Sequence, residues 1–376
     1  MSIDGNPFLV LLRLGIGHSV AELPKKIDWV NLKALAERQG LSAIVLDGVN
    51  LLPVECRPPK TMLLQWIGET LQGYEQRYAQ YEEAIASLAA FYNTLGFRMM
   101  VLKGLACGLD WPRPEHRPCG DIDIWLFGKQ KEADAFLESV EFRVESLESV
   151  ESSKIKIDRS HHHHTVFQWQ GFTVENHYDF VNVHVHRSSR ELEKIFKELS
   201  QDDNYCVEVL GEKVYLPSPN LHGLFLIRHL VSHFSGANIT LRQVLDWAFF
   251  VEAHANEIDW DWLERLLTKY HMIDFYRCIN AICVEDLGFN KVESLEFRVN
   301  SQLGSLEFKK LKERILNDTL SPEFSEETPK HVWERVPFKY RRWKANRWKR
   351  ELCYEDGQLR TFLGGVWNHL LKPAGI

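Results

Sequence analysis

The chain has no apolar run approaching the ~20 residues of a membrane span, so nothing in it reads as a transmembrane helix. It also lacks any Cys-x-x-Cys. Its seven cysteines (Cys56, Cys107, Cys119, Cys206, Cys278, Cys283 and Cys353) are scattered and odd in number. That pattern reads as free thiols in a reducing cytoplasm rather than a disulfide framework or a cysteine zinc site. The first residues, Met1-Ser-Ile-Asp-Gly-Asn-Pro7, show no basic stretch running into an apolar segment with a cleavage site. The expectation is a cytoplasmic chain without a secretory leader. Positive charge is short as well: 45 Lys and Arg stand against 52 Asp and Glu, a net −7. Such a molecule does not attract nucleic acid as a whole, and any polyanion contact must come from a local patch.

What is present is an ordinary globular composition, 45% hydrophobic and 26% charged over 376 residues. That length favours about two to three domains. One stretch organises the rest. The apolar run Met99 to Leu102 ends in Lys103-Gly104; a loop stiffened by Pro112, Pro114 and Pro118 follows; then comes Gly120-Asp121-Ile122-Asp123-Ile124. On a strand Asp121 and Asp123 share one face while Ile122 and Ile124 enter the core. Neighbouring carboxylates repel and resist ionisation, so they call for a cation. Mg²⁺ suits them, because it takes one or two carboxylates and completes its shell with phosphate oxygens and water. Lys103 offers phosphates a point charge, and Gly104 an unobstructed backbone amide. Arg117, four positions before Asp121, reads either as a phosphate contact or as a surface charge.

Further on, Ser160-His161-His162-His163-His164 leads into two β-rich runs across Gln170-Gly171, a hairpin carrying Glu175 and His177 on one face. Consecutive residues of a strand face opposite ways, so the four histidines cannot all ligate one ion. One or two of them either line the cleft or hold a metal, and the rest are exposed.

The remaining pattern is mostly helical. Residues 1–57 read as short helices, with Gly40 closing one of them. Thr61 to Leu95 reads as one long amphipathic helix with Leu64, Leu71, Tyr81, Ile85, Leu88 and Tyr92 on its packed stripe. Strands are expected over 97–103 and 121–127, a helix over 129–139, and a solvated acidic loop over 141–153. A helix over 189–199 and a hairpin over 205–216 follow. After Pro217-Ser-Pro219 the pattern turns helical again, including Arg242 and Asp246 spaced to pair on a helix surface. The segmentation is therefore a helical region 1–95, a core 96–218, a helical domain 219–329 and a tail 330–376. In the tail, Lys330 to Arg350 holds nine Lys and Arg against one acid, Glu334, interleaved with Trp333, Phe338, Tyr340, Trp343 and Trp348. That run suits an anionic membrane surface, a nucleic acid, or an arm packed on the protein.

The run Leu102-Lys103-Gly104 … Arg117-x-x-Gly120-Asp121-Ile122-Asp123 resembles the bacterial, largely uncharacterised nucleotidyltransferase family of the DNA polymerase β-like superfamily. Val174-Glu175-Asn176-His177 is similar to that family's Glu-x-His segment, and the likeness spans residues 60 to 270. Lys103-Gly104 stands where the superfamily usually has Gly-Ser or Gly-Gly, which resembles its divergent branch. The resemblance implies an α+β fold, a mixed sheet flanked by helices with helical N-terminal and C-terminal parts. It implies Mg²⁺-dependent transfer of a nucleoside monophosphate from an NTP to a hydroxyl acceptor, with two ions on Asp121, Asp123 and Glu175. Glu175 or a neighbouring histidine, His177 or His164, would take the nucleophile's proton, and Lys103, Gly104, Arg117 and Gly120 would bind the triphosphate. Alternatives are a nucleotide-binding module without turnover, a metal-dependent phosphohydrolase, and a scaffold working through the basic-aromatic tail.

Overall fold

The structure is a computed structural model and describes residues 6–24, 26–139, 141–145, 150–184, 186–289, 305–326, 328–329 and 331–357. The chain divides into two compact units, each drawn from three segments. The first comprises Met1–Arg77, Asp110–Pro118 and Leu226–Glu355; the second comprises Tyr78–Leu109, Cys119–Phe225 and Asp356–Ile376.

The first unit is helical. Helix Pro7–Gly15 starts at Asn6, whose side chain accepts from the Phe8 amide, with Pro7 in the first helical position. It crosses helix Ser42–Asn50 at backbone contact. A methyl on Gly15 would lie 1.9 Å from the Ile44 carbonyl oxygen, and one on Gly48 2.0 Å from that of Leu11. Only glycine permits that approach. The expected long helix is interrupted: Lys60–Thr70 passes through a π turn, Leu71–Glu75, into Gln76–Thr94. A π turn adds a residue and rotates the face that follows. Tyr81, Ile85, Leu88 and Tyr92 are accordingly buried, whereas Leu64 and Leu71 are exposed.

Part of the basic-aromatic run packs into this first unit, on helices Val332–Ala345 and Arg347–Cys353. Phe338 is buried against Phe324, and Trp348 lies edge-on to Phe234 with the Arg314 guanidinium 3.9 Å above its ring. Lys349 pairs with Asp318 at 2.5 Å, both fully buried. Trp333 and Tyr340, by contrast, are 72% and 51% exposed. Lys330 and residues 358–376 lie outside the described residues. Among the described residues no helix is long and apolar enough to cross a membrane, and all seven cysteines are free.

The second unit holds a mixed six-stranded sheet with helices around it, an α+β architecture. Its strands are β1 (Met100–Val101), β2 (Ile122–Trp125), β5 (His164–Trp169), β6 (Phe172–His177), β7 (Cys206–Val209) and β8 (Glu212–Tyr215), in the order β5-β6-β2-β1-β8-β7. β2 runs parallel to β6 and β1 to β8; the other pairings are antiparallel. Both outer hairpins turn on two residues with positive φ, Gln170-Gly171 and Leu210-Gly211, as type I′ turns require. The acidic stretch expected as a loop instead forms a separate hairpin, β3 (Glu141–Glu145) with β4 (Val150–Lys154). The alternation of Phe142 and Val144 with polar residues is the strand signal that its charge obscured. The core gathers Tyr81, Ile85, Leu88 and Tyr92 from the helix and Val101, Ile122, Ile124, Phe167, Phe172 and Val174 from the sheet.

Candidate active site

The parallel register of β2 and β6 sets Asp123 opposite Glu175 and Trp125 opposite His177. Paired residues of adjacent strands share a face, and so do residues two apart. Asp123, Glu175 and His177 therefore project to the same side. His177 Nε2 lies 3.2 Å from Asp123 Oδ1 and 3.6 Å from Glu175 Oε2. Its Nδ1 is 3.2 Å from the Asp179 carbonyl oxygen. Asp121 sits just ahead of β2 and is exposed.

β1 brings the second half of the constellation. The Leu102 amide donates to the Asp123 carbonyl, which lays the Lys103-Gly104 turn against β2. Lys103 Nζ reaches Asp123 Oδ1 at 2.6 Å. Gly104 has φ +62°, and a methyl there would lie 2.0 Å from the Tyr81 hydroxyl. That hydroxyl donates to the Asp121 carbonyl at 3.3 Å, so Tyr81 ties the Lys-Gly turn to the entry of the acidic strand. Nothing in the sequence marked Tyr81 beyond its place on the apolar stripe. Gly120 has open space where a Cβ would be.

Below this face, Asp134 anchors β5 and β6. It accepts from Asn176 Nδ2 at 2.8 Å and Thr165 Oγ1 at 2.9 Å, and also from Gln130. Asn176 lies between Glu175 and His177 and points to the opposite face, so this network fixes the strand that carries both.

The charges are strongly coupled. Burial pushes the Asp123 carboxyl up, but the Lys103 ammonium and His177 outweigh it and hold the group well below the usual carboxylate range. Burial lowers His177, yet its bonds to Asp123 and Glu175 raise it to about 9. Glu175 is held down against burial by His177. Asp121 goes the other way, raised by burial and then by the charges of Glu175 and Asp123. After burial, the rest of that last shift is the carboxylate repulsion expected from the sequence.

His163 and His164 complete the surroundings. His163 lies in a bend before β5 rather than on a strand, so the two rings converge instead of alternating. β5 pairs His164 with His177, and His164 Nδ1 is 3.6 Å from Glu175 Oε2. Desolvation, and then the neighbouring His177 charge, lower His163 to about 2 and His164 to about 4; both are neutral imidazoles at pH 7. Two groups offer ligand atoms within 4.8 Å of one another: Asp123, Glu175 and His177, and His163, His164 and His177.

Arg117 belongs to the first unit, where it is buried. Its Nε and Nη2 bind Asp246 Oδ1 and Oδ2 at 2.7 and 3.0 Å, and Trp111 Nε1 donates to the same carboxylate at 2.9 Å. Asp246 is thus a buried ion-pair centre bound by Arg117, and the Arg242 charge one helical turn away also holds its carboxyl low.

A sheet that aligns carboxylates on adjacent parallel strands beside a Lys-Gly turn defines a candidate phosphate-chemistry site. The family model described as "Uncharacterised nucleotidyltransferase" matches residues 25–288, more than half of the chain, and the protein belongs to that family. The match extends beyond both ends of the resemblance read from the motifs. Among solved structures, the chain is similar to an antigenic nucleotidyltransferase-like protein from Paracoccidioides brasiliensis, at 13% identity and a TM-score of 0.31. That likeness covers 66% of this chain and 95% of the other. No curated protein matches the chain.

Proposed function

We propose that the second unit transfers a nucleoside monophosphate from an NTP to a hydroxyl acceptor, in the manner of the polymerase β-like superfamily, with Mg²⁺ held by Asp121, Asp123 and Glu175. The observation that carries this reading is the register Asp123 opposite Glu175, with Asp121 two residues upstream, in a chain of the nucleotidyltransferase family. Asp123 and Glu175 offer carboxylate oxygens within 4.8 Å of each other, the oxygen chemistry Mg²⁺ prefers, while Asp121 precedes them outside that close group. Asp121 resists ionisation first through burial and then through the charges of Glu175 and Asp123, the second part being the behaviour of carboxylates grouped for a cation. Bound there, Mg²⁺ supplies charge neutralisation to the triphosphate and lowers the pKa of the attacking hydroxyl.

The chain's own residues do the rest. In the reaction a bond forms between the acceptor oxygen and the α-phosphorus, the α–β bridging bond breaks, and pyrophosphate leaves. The hydroxyl proton goes to Glu175 or to neutral His164; His177, already protonated near neutral pH, cannot take it. His177 instead orients Asp123. Lys103 is partly exposed and supplies the ammonium for the triphosphate. Gly104 presents its backbone without a Cβ.

One observation favours a second reading, a nucleotide-binding protein with little or no turnover. Lys103 and His177 already neutralise Asp123, so the protein's own cations lie where an ion would bind. Incubation with α-labelled NTPs and Mg²⁺ separates the two. Label transferred to an acceptor, and lost in Asp123→Asn, supports transfer. Release of labelled monophosphate alone indicates hydrolysis. Thermal stabilisation by an NTP without product indicates binding only; ligand at ~100 times its Kd should add ~2.7 kcal/mol.

A further inference from the structure

The histidine cluster beside the carboxylates has features beyond the proton transfer and positioning that nucleotidyl transfer asks of His164 and His177. We propose that His163, His164 and His177 form a nitrogen-donor site for a transition-metal ion of the zinc class, adjoining the carboxylate site at Glu175.

The three rings lie within 5.4 Å of one another, centroid to centroid, and each offers a nitrogen, the three within 4.8 Å of one another. His164 is buried, and among the described residues neither of its ring nitrogens has a hydrogen-bond partner; nor does His163 Nδ1. A buried imidazole with both nitrogens unsatisfied is costly, and a native fold retains one where something else meets the need. His177 is oriented for ligation by its other nitrogen. With Nδ1 at the Asp179 carbonyl, Nε2 is the atom turned toward Asp123 and Glu175, the arrangement usual for ligating histidines, and an ion bound there would displace the proton that His177 otherwise carries. Glu175 Oε2 lies 3.6 Å from both His164 Nδ1 and His177 Nε2, at hand as a fourth donor or as acceptor from a bound water.

Donor chemistry selects the ion. Three imidazoles suit Zn²⁺, Co²⁺ or Ni²⁺ and offer little to Mg²⁺, which prefers oxygen. Three protein nitrogens with a further position for Glu175 or water resemble an open zinc site rather than a closed structural one. The sequence hid this arrangement, because four consecutive histidines on a strand would diverge; the bend at His163 makes two of them converge.

The test uses the full chain, stripped with chelator and titrated with Co²⁺ and Zn²⁺ in the presence and absence of excess Mg²⁺. One equivalent of Co²⁺ should bind with visible d–d absorption, be displaced by Zn²⁺ and resist Mg²⁺. His164→Asn and His163→Asn should each weaken binding on the order of 100-fold, while Asp121→Asn and His161→Asn leave it unchanged. Absence of stoichiometric binding, displacement by Mg²⁺, or equal loss in Asp121→Asn overturns the proposal. Should a histidine variant fail to fold, X-ray absorption on the zinc-loaded parent decides: an imidazole-rich shell supports the site, and an oxygen-only shell excludes it. Since the readout is binding, failure of nucleotidyl transfer leaves this result intact, and failure here leaves that activity untouched.

Discussion

Asp123→Asn removes one charge and almost no volume, so its effect reports the electrostatics of the site. The Asp123 side chain is 6% exposed, that of His177 4% and that of Lys103 23%. From two adjacent carboxylates alone, relief of repulsion would make this change neutral or slightly stabilising. The structure reverses that expectation, because Asp123 balances two cations rather than merely opposing Asp121. Removing one partner of a buried pair costs about 3–5 kcal/mol, since the charge left behind is desolvated. Glu175 remains as an anion, His177 can release its proton, and Lys103 keeps some water, so the lower end, about 3 kcal/mol, is expected. That is a large share of a domain's stability. Urea unfolding in chelator at pH 7 measures it, with NMR titration of His177, whose pKa should fall from about 9. Asp121→Asn is the control, being exposed and opposed by like charges, and should be neutral or mildly stabilising. Equal stability of Asp123→Asn and the parent, or equal loss in both variants, refutes the reasoning.

Gly104→Ala should cost about 1–3 kcal/mol from its positive φ alone, and more from the contact with the Tyr81 hydroxyl. Tyr81→Phe should recover the second part, so strictly additive losses in a double-mutant cycle would exclude the contact. Glu193 makes stability depend on pH. Burial, and then the Asp179 charge, raise it to about 7, against the opposing amides of Val181 and Phe180. A folded pKa above the unfolded value favours the protonated fold. Its contribution, on the order of 3 kcal/mol, is complete below about pH 4.5 and is lost as pH rises through 7. Glu193→Gln should flatten that part of the stability–pH profile, and an unchanged slope would show that the group is not responsible. Asp318→Asn should destabilise the first unit by about 3–5 kcal/mol, because the Lys349 ammonium is left buried with neutral acceptors, Ala237 O and Asn238 Oδ1, and without its counter-charge. Asp318→Leu with Lys349→Met should recover most of the loss in thermal melts; a double variant as unstable as the single would show that the charge is not the cause.

Local pattern sufficed where a short stretch fixes its own geometry. The Gln170-Gly171 and Leu210-Gly211 hairpins follow from turn chemistry, and Gly40 and Gly96 close their helices with positive φ. Alternation put Ile122 and Ile124 in the core, because a strand's period is set by its backbone. The motif also named Lys103, Asp123, Glu175 and His177, which the fold gathers on one face. What the sequence could not give was register and partners. That Asp123 stands opposite Glu175 is decided by the parallel pairing of strands about fifty residues apart. That Arg117 binds Asp246 rather than solvent, and that Tyr81 locks Gly104 to Asp121, depends on elements far apart in the chain. The π turn at Leu71–Glu75 shifts a periodic pattern by a residue and redirects every side chain that follows, and the bend at His163 leaves that residue outside the strand alternation that begins at His164. Residue type sets which chemistry is available. Distance between side chains sets which of it occurs, and only packing of the whole chain fixes distance.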